Sequence, residues 1–315
     1  MGKLVIALDK YSDWLETYSC IHHNPDCVVE VHYLANNRND GESIKGIFNH
    51  IVSNPNRVYF IEHEDKMLMF DRFKQEALLL EAGDFLIAPF VRYRHFWQLT
   101  TLVKKGVETV HISECLPDTF GHIGYRLGFR GNKFKTWLTL PLAKLYALKH
   151  VPDICYFPLA TYLNNPFVKK TLPVVVPVLS KSKQQVLASL LGEEKRVLLI
   201  GGFGYDVKKM AVELGLDKYI ATSKGIEIIV DGIVHPLTQR ICAEEVLLSS
   251  MVSGIAGYTS SAIVWARLLN PSMNIECFKA EHFDRQYGPF YSFLAARSLK
   301  KMGIMVKPEN KRMLE

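Results

Sequence analysis

Short apolar segments alternate with stretches of helical periodicity along the whole chain. Apolar runs that are bounded by turn residues and separated by helices are typical of parallel sheets, because parallel strands need helical crossovers between them. The chain has 315 residues, of which 48% are hydrophobic, so it can bury two ordinary cores. The pattern therefore predicts an α/β protein with two domains, residues 1–180 and residues 181–315.

The predicted strands are the apolar runs between turn residues, and the predicted helices lie between many of them. The strands are Leu4–Leu8, Val28–Tyr33, Val58–Ile61, Phe85–Ala88, Glu108–Ile112, Ile154–Phe157, Val174–Val178, Val197–Ile200, Glu227–Val230, Val252–Ala256 and Asn274–Phe278. The helices are Gln75–Glu81, Thr136–Lys149, Lys183–Leu191, Asp206–Leu214, Ala243–Ser249 and Ser261–Leu268. The domain boundary is placed near Lys181, because the segment RVLLIGGFGYD a few residues later begins a new strand. The helical segment Tyr291–Met302 is expected to cross back to the first domain.

The segment Glu244–Leu269 combines a strand, a turn and a helix whose first turn is Ser260-Ser261. Backbone N–H groups at a helix N-terminus carry a partial positive charge and bind anions, and serine hydroxyls add further donors. The segment therefore predicts a phosphate site at Ser260 and Ser261. Simple N-capping of the helix would also explain a serine at this point.

Ligands of open parallel sheets bind at the carboxyl ends of the strands, so polar residues after the other strands are candidates as well. A glycine-rich turn would let backbone amides approach a nucleotide, although a plain strand-to-helix turn explains it equally. A carboxylate at the start of a helix can accept both hydroxyls of a ribose, or can simply match the helix dipole. These candidates are Gly201, Gly202 and Phe203 in the turn, His235 with Pro236, and the acidic pair Glu244-Glu245.

Taken in order, His235-Pro236, Glu245-Val246-Leu247, Gly257 and Ser260-Ser261 resemble the C-terminal half of the bacterial sialyltransferases, including the capsular and polysialyl types. Those enzymes share an HP motif, a ribose-binding glutamate and an SS or ST motif. They have the GT-B fold, in which two Rossmann-like domains face each other across a cleft, and they use CMP-sialic acid without a metal ion. The likeness covers mainly residues 108–121 and 197–269.

The resemblance implies a role for each matching residue in the C-terminal domain, which would bind the CMP-sugar while the N-terminal domain binds the acceptor. His235, followed by Pro236, would contact the CMP phosphate as general acid or electrostatic stabiliser. Ser260 and Ser261 would hold the same phosphate, and Glu245 would hold the ribose. No cofactor is implied beyond the donor substrate, CMP-sialic acid.

The same family carries an acidic motif in the N-terminal domain, two acidic residues followed by glycine, whose carboxylate removes the proton from the acceptor hydroxyl. The matching place in this chain is Ser113–Cys115, where a single acid is present and cysteine stands in the glycine position. Glu114 is therefore the candidate base, with Asp118 as the fallback. Arg92 and Arg94 are candidates for acceptor contacts, and a surface loop would also account for them.

CMP-sialic acid carries a β-linked sugar and the family's products are α-linked, so the resemblance implies one in-line displacement with inversion. We expect α-2,3 transfer to a terminal galactose of a capsular or surface oligosaccharide, with α-2,8 or α-2,6 transfer, including polysialylation, as alternatives. Two rivals come from other classes. One is an NAD(P)-dependent oxidoreductase with Asp231 as its ribose acid, and the other is a non-catalytic nucleotide-sugar-binding protein.

Charge and hydropathy bear on partners and location. The formal net charge is +6, and residues 119–152 hold basic and aromatic side chains but no acids. A helix with basic and aromatic side chains, such as the predicted helix in this range, suits a membrane surface or a lipid-linked oligosaccharide. A solvated helix packed on a sheet would give the same pattern. No nucleic-acid module, targeting segment or bilayer-length apolar run is recognisable, so a cytoplasmic protein is expected, at the inner face of the membrane.

The cluster Cys20, His22, His23 and Cys27 lacks zinc-finger spacing, so no metal site is predicted.

Overall fold

The computed structural model of the chain describes residues 2–8, 11–35, 41–88, 103–111, 154–155, 170–171, 173–201, 206–223, 225–258, 260–279, 296–297 and 299–308. These residues form two sheets with helices between their strands, which confirms the predicted α/β class. The chain divides into two compact units. Among the described residues, the N-terminal unit ends at Pro177 and the C-terminal unit begins at Val178, close to the predicted boundary after residue 180.

The described part of the N-terminal unit contains a seven-stranded parallel sheet in the order β3-β2-β1-β4-β5-β6-β7. Its strands are β1 (Lys3–Leu8), β2 (Val28–Leu34), β3 (Val58–His63), β4 (Phe85–Ala88), β5 (Glu108–His111), β6 (Ile154–Cys155) and β7 (Lys170–Thr171). Its helices are α1 (Trp14–His23), α2 (Gly41–Ile51) and α3 (Lys66–Leu79). The chain reverses its direction of travel across the sheet between β1 and β4, as in doubly wound folds.

A string of polar side chains, centred on the buried ring of His32, lies between this sheet and α3. Nδ1 of His32 is 3.0 Å from Nε2 of His63, and Nε2 of His32 is 2.7 Å from a carboxylate oxygen of Glu30. Lys3 Nζ lies 2.9 Å from the other oxygen of Glu30, and Phe73 of α3 packs edge-on against His32. Burial would raise the pKa of Glu30, but the bonds from His32 and Lys3 lower it to about 2. Burial, with His32 nearby, lowers the pKa of His63.

The described part of the C-terminal unit contains a second seven-stranded sheet, in the order β11-β10-β9-β8-β12-β13-β14. Its strands are β8 (Arg196–Ile200), β9 (Tyr219–Ser223), β10 (Glu227–Val230), β11 (Ile233–Pro236), β12 (Val252–Tyr258), β13 (Asn274–Phe278) and β14 (Val306–Lys307). Its helices are α4 (Lys181–Leu191), α5 (Val207–Glu213), α6 (Ala243–Val246) and α7 (Ser261–Leu269). Strand β10 pairs antiparallel with both neighbours, and all the other pairs are parallel.

The structure corrects several predicted elements. The predicted strand Val174–Val178 is wrong, because the Val175 N–H donates to Ser19 Oγ at 2.9 Å and the segment joins no described ladder. Pro177 inside the segment and Pro173 before it lack the N–H that a ladder requires. The prediction of parallel sheets holds for every described strand pair except the two that β10 makes, where an antiparallel hairpin closes one side of the C-terminal sheet. The predicted helix Thr136–Lys149 lies outside the described residues, as does most of the predicted crossing segment 291–302.

Helices cover both faces of the C-terminal sheet. On one face, Met210 and Ala211 of α5 join a buried cluster with Leu199, Ala221 and Tyr258, against which Ile229 also packs. The crossovers β8–α5–β9 and β12–α7–β13 run in opposite directions across the sheet, so right-handed connections put α7 on the opposite face. No helix within the described ranges is long and apolar enough to cross a membrane.

Candidate functional site

The carboxyl edge of the C-terminal sheet collects most of the described candidate residues. Gly201 follows β8 and Ser260 follows β12, and these two strands are parallel neighbours. Because β10 is antiparallel to both β9 and β11, β11 runs in the same direction as β9. Glu227 pairs with Ser223 on one side and with Pro236 on the other, so the end of β11 reaches the same edge. The hairpin therefore brings His235 and Pro236 to the carboxyl edge, although neither follows a parallel strand as predicted.

His235 projects from the face of the sheet that carries α7. It lies opposite Ile228, which in turn lies opposite Thr222, so the three side chains share one face. The next residue, Ile229, points the other way and packs into the cluster with α5. His235 is half-buried, and Pro236 is exposed at the end of an edge strand, where a missing N–H costs nothing.

Three strands separate β11 from β12 in the sheet. Four spacings of about 4.8 Å put the two backbones about 19 Å apart in a flat sheet. The chain spans this distance along the carboxyl edge: Leu237 N–H donates to Ile226 O, Ile241 N–H donates to Gly225 O, and α6 follows. Contact of His235 and the serine pair with one phosphate, as the resemblance implies, therefore stays a prediction.

Helix α7 begins directly after β12, as predicted. Ser260 has an extended backbone, and its hydroxyl accepts the Ala262 N–H at 3.3 Å, so it caps the helix. Gly257, inside β12 with φ +153°, lets this strand lie close to β8, because a Cβ there would collide with the carbonyl oxygen of Ile200. The serine pair is half-buried at the helix start, where the dipole of α7 favours anions.

Ser261 is bonded to a carboxylate that belongs to α6. Its hydroxyl donates to Oε1 of Glu244 at 2.6 Å. Glu244 is only 8% exposed, and its other oxygen makes no hydrogen bond within the described residues. Sequence reasoning noted this carboxylate beside Glu245 but did not predict its contact with Ser261, since the two residues are distant in the chain and meet only through the packing of α6 on α7.

Glu245, the glutamate expected to bind ribose, is fully buried instead of facing a ligand. One oxygen lies 2.5 Å from Nζ of Lys183 on α4, and the other accepts the Cys242 N–H at 2.8 Å. Burial raises the pKa of Glu245 against the opposing effect of Lys183, and burial beside the two glutamates raises the pKa of the Cys242 thiol well above its usual value. Both oxygens are thus engaged inside the protein, which argues against the ribose role for Glu245.

Asp231, the ribose acid of the oxidoreductase alternative, lies at the opposite edge of the sheet. It has φ +49° in the two-residue turn between β10 and β11, and its carboxylate accepts from Arg196 Nη2 at 2.9 Å and from the Tyr219 N–H at 2.9 Å. Tyr219 begins β9, so this is the amino edge, away from Gly201. The geometry removes the residue on which that alternative depended.

The remaining candidates lie outside the described residues. They are Gly202, Phe203, Arg92, Arg94, Glu114 and Asp118. Within the described ranges, no group of three or more histidine, cysteine or acidic side chains comes together in a way that could hold a metal ion. Comparison of the chain with protein-family models finds no match, and comparison with curated proteins finds none either.

Proposed function

We propose that this chain is an inverting sialyltransferase that takes sialic acid from CMP-sialic acid and transfers it to a terminal galactose of a capsular or surface oligosaccharide. The proposal includes the GT-B arrangement of the two units, action without a metal ion, and a cytoplasmic location at the inner face of the membrane. It rests on the order of the HP, EVL and SS motifs and on the position of their residues along one sheet edge.

One observation carries the proposal. Ser260 caps α7 immediately after β12, Ser261 follows in the first turn, and His235 projects from the same face at the same edge. A helix N-terminus with two hydroxyls suits the phosphate of a nucleotide, and an imidazole further along the edge can meet the sugar side of that ligand. The proposal therefore has both groups meet the single phosphate of CMP-sialic acid, the serine pair directly and the imidazole from the sugar side of the ligand.

The proposed chemistry needs a proton acceptor for the incoming hydroxyl and charge stabilisation for the departing phosphate. In a single displacement, the galactose hydroxyl attacks the anomeric carbon while the bond from that carbon to the CMP oxygen breaks. Glu114 would accept the hydroxyl proton, and His235 would donate to the leaving phosphate or stabilise its charge. Ser260 and Ser261 would hold that phosphate, with Gly201 next to it. Glu244 takes over from Glu245 as the glutamate available to the ribose.

Replacement of either proposed proton-transfer residue should abolish sialyl transfer. His235→Ala should leave stability nearly unchanged, because His235 lies on a short edge strand and is only half-buried. Glu114→Ala should have the same effect on activity through loss of the base. The measurement is release of CMP from CMP-sialic acid in the presence of a galactose-terminated acceptor, with linkage analysis of the product to distinguish α-2,3 from α-2,6 and α-2,8 transfer.

His50→Ala is the matched control, since His50 is an exposed histidine on α2 and should retain full activity. A wild-type protein that binds CMP but never consumes CMP-sialic acid with any galactose, sialyl or lipid-linked acceptor would favour the non-catalytic nucleotide-sugar-binding protein. Binding of NADH in preference to CMP would refute both.

A further inference from the structure

Strand β3 leaves one edge of the N-terminal sheet open, in contrast to the other sheet edges in the described ranges. It is the outermost strand, has six residues and contains neither proline nor lysine. The edge strands β7 and β14 have two described residues each, and β11 has four and ends in Pro236. Short edge strands and prolines are devices that keep a sheet from pairing with another chain. Strand β3 has neither device.

The outer side of β3 presents backbone groups that no described residue bonds. The His63 carbonyl accepts the Ala35 N–H at 2.8 Å, just beyond β2, so His63 and every second residue before it face β2. Alternate residues of a strand direct their N–H and C=O groups to opposite sides. Phe60 and Glu62 therefore direct theirs away from the sheet, where they form a template for a further strand.

This pattern of donors and acceptors is complementary to a second copy of itself. A two-fold axis perpendicular to the sheet makes the two β3 strands antiparallel and keeps equivalent sheet faces on one side, so residues of the same face must lie opposite each other. With the axis beside Ile61, Phe60 of each copy lies opposite Glu62 of the other. Each such pair exchanges both of its N–H···O bonds, and Ile61 meets Ile61 of the second copy in the closer, non-hydrogen-bonded position.

The charges along the strand fit the same arrangement. Arg57 lies immediately before β3, and three acids lie at its other end or just after it, Glu62, Glu64 and Asp65. Antiparallel pairing places the basic end of one copy beside the acidic end of the other, whereas parallel pairing would bring like charges together. Tyr59 is 56% exposed on the open strand and would gain apolar contacts in the pair.

We propose that the chain forms a two-fold symmetric dimer in which β3 pairs antiparallel with β3 of a second copy, so that the two N-terminal sheets become one continuous sheet. The match of backbone groups and of charges about one axis favours a second copy over an unrelated peptide, which would need neither. The inference goes beyond the proposed function and does not depend on it, because the joint lies on the N-terminal sheet and the proposed donor site lies on the C-terminal sheet.

Disulfide cross-linking of the full chain tests the register. In Ile61→Cys the two introduced thiols lie on residues whose Cα atoms are about 4.5 Å apart, which is within the range of a disulfide. Mild oxidation should therefore give a covalent dimer on a non-reducing gel. Tyr59→Cys is the matched control: it lies opposite His63 of the second copy, so its two thiols are separated by about 14 Å along the strands and should not join. Failure of Ile61→Cys to cross-link, or equal cross-linking of both variants, would overturn the inference.

Sedimentation velocity measures the dimer itself. The wild-type chain should shift from monomer to dimer as its concentration rises. Glu62→Pro removes the outward N–H from each copy, and should weaken the dimer about thirtyfold because each of the two lost bonds costs about fivefold. Glu62→Gln keeps that N–H and loses only an exposed charge, so its dimer should stay within about threefold of the wild type.

The cross-linking result decides the matter if Glu62→Pro does not fold. A wild-type chain that stays monomeric up to its highest soluble concentration, or a dimer that a folded Glu62→Pro variant leaves intact, would overturn the dimer. Neither result would touch the proposed sialyl transfer, which is measured separately by release of CMP.

Discussion

The two edges of the C-terminal sheet carry similar polar side chains but satisfy them differently. At the amino edge, Arg196 donates to Asp231, to the Leu191 carbonyl and to Glu194, and it is almost completely buried. At the carboxyl edge, His235 and the serine pair are half-buried. Groups whose bonds are completed inside the protein stabilise the fold, whereas groups left partly open can exchange a bond with a ligand. The completeness of bonding therefore separates the two roles better than residue type does.

The pKa of Asp231 also indicates that the polar side chains of the amino edge stabilise the fold. Burial alone would raise the pKa of this carboxyl, but the hydrogen bonds from Arg196 and from the Tyr219 amide lower it below its usual value. The Asp231 carboxylate joins the hairpin turn to the start of β9 and to the start of β8. This contact fixes the hairpin at one edge, and so fixes where β11 delivers His235 at the other.

The largest expected effect comes from breaking the amino edge. Arg196→Met should destabilise the C-terminal unit by about 3 kcal/mol, because a carboxylate and two carbonyls lose a buried partner. The affinity of the folded fraction for CMP should stay unchanged, since no ligand group is touched. Hydrogen–deuterium exchange of peptides from the C-terminal unit measures the first quantity, and calorimetry at low temperature measures the second.

Lys218→Met is the control for Arg196→Met, because Lys218 belongs to the same network but lies in solvent. It should change protection of the unit very little. If Arg196→Met instead abolished CMP binding without loss of protection, the amino edge would be part of the site and the comparison of the two edges would fail.

Parts of the fold were accessible from the sequence because they depend on local pattern. The buried parallel strands such as Arg196–Ile200 and Asn274–Phe278 are short apolar runs between turn residues, and they were predicted nearly to the residue. Strand β11 was missed because IVHP is too short and too polar to read as a strand. The turn Asp231-Gly232 before it is a recognised signal for a two-residue hairpin, and weighing it would have predicted the antiparallel pair.

The candidate site was predictable where one element sets it and unpredictable where two elements meet. Ser260 as the first residue of a helix after an apolar strand follows from local sequence, and the structure has that cap. Local sequence does not decide which of Glu244 and Glu245 pairs with Lys183 and which contacts Ser261. The answer depends on which side of the one-turn helix α6 faces α4 and which side faces α7. Lys183 gave a weak signal: a lysine in the first turn of a helix opposes the helix dipole, which suggests a buried acidic partner.

A smaller effect is expected at the carboxyl edge, where two substitutions of Ser260 distinguish its role in capping α7 from a role in binding a ligand. Ser260→Ala should cost about 1 kcal/mol of stability through loss of the cap and should weaken CMP binding, whereas Ser260→Gly should lose only a few tenths of that stability, since glycine caps well. Both variants lack the hydroxyl, so both should weaken CMP to a similar extent. Thermal unfolding and calorimetry on the two proteins supply the comparison, and CMP binding by Ser260→Gly at wild-type strength would reduce Ser260 to a capping residue.

The N-terminal sheet offers a test of whether the comparison is general. Its string of polar side chains around His32 runs from Lys3, the first residue of β1, to His63, the last residue of β3. His63 therefore sits at a carboxyl end, yet it is bonded to the buried ring of His32. By the criterion of completed bonds it belongs to the fold, and its protonation should affect stability in preference to ligand binding.

The smallest expected effect is a loss of N-terminal stability in mild acid. Burial lowers the pKa of His63 below 6.5, so the folded state binds its proton less readily than the unfolded state. The stability that neutral His63 contributes is present above pH 6.5 and is lost as the pH falls from there toward the lowered pKa. Glu30 acts at lower pH: its contribution is present above 4.5 and disappears as the pH falls toward about 2. Exchange protection of β2 and β3 should therefore fall as the pH is lowered below about 6.5, and less so in His63→Gln. An unchanged pH slope in that variant, with His50→Gln as control, would mean that His63 is open to solvent and that the criterion of bond completeness fails in this unit.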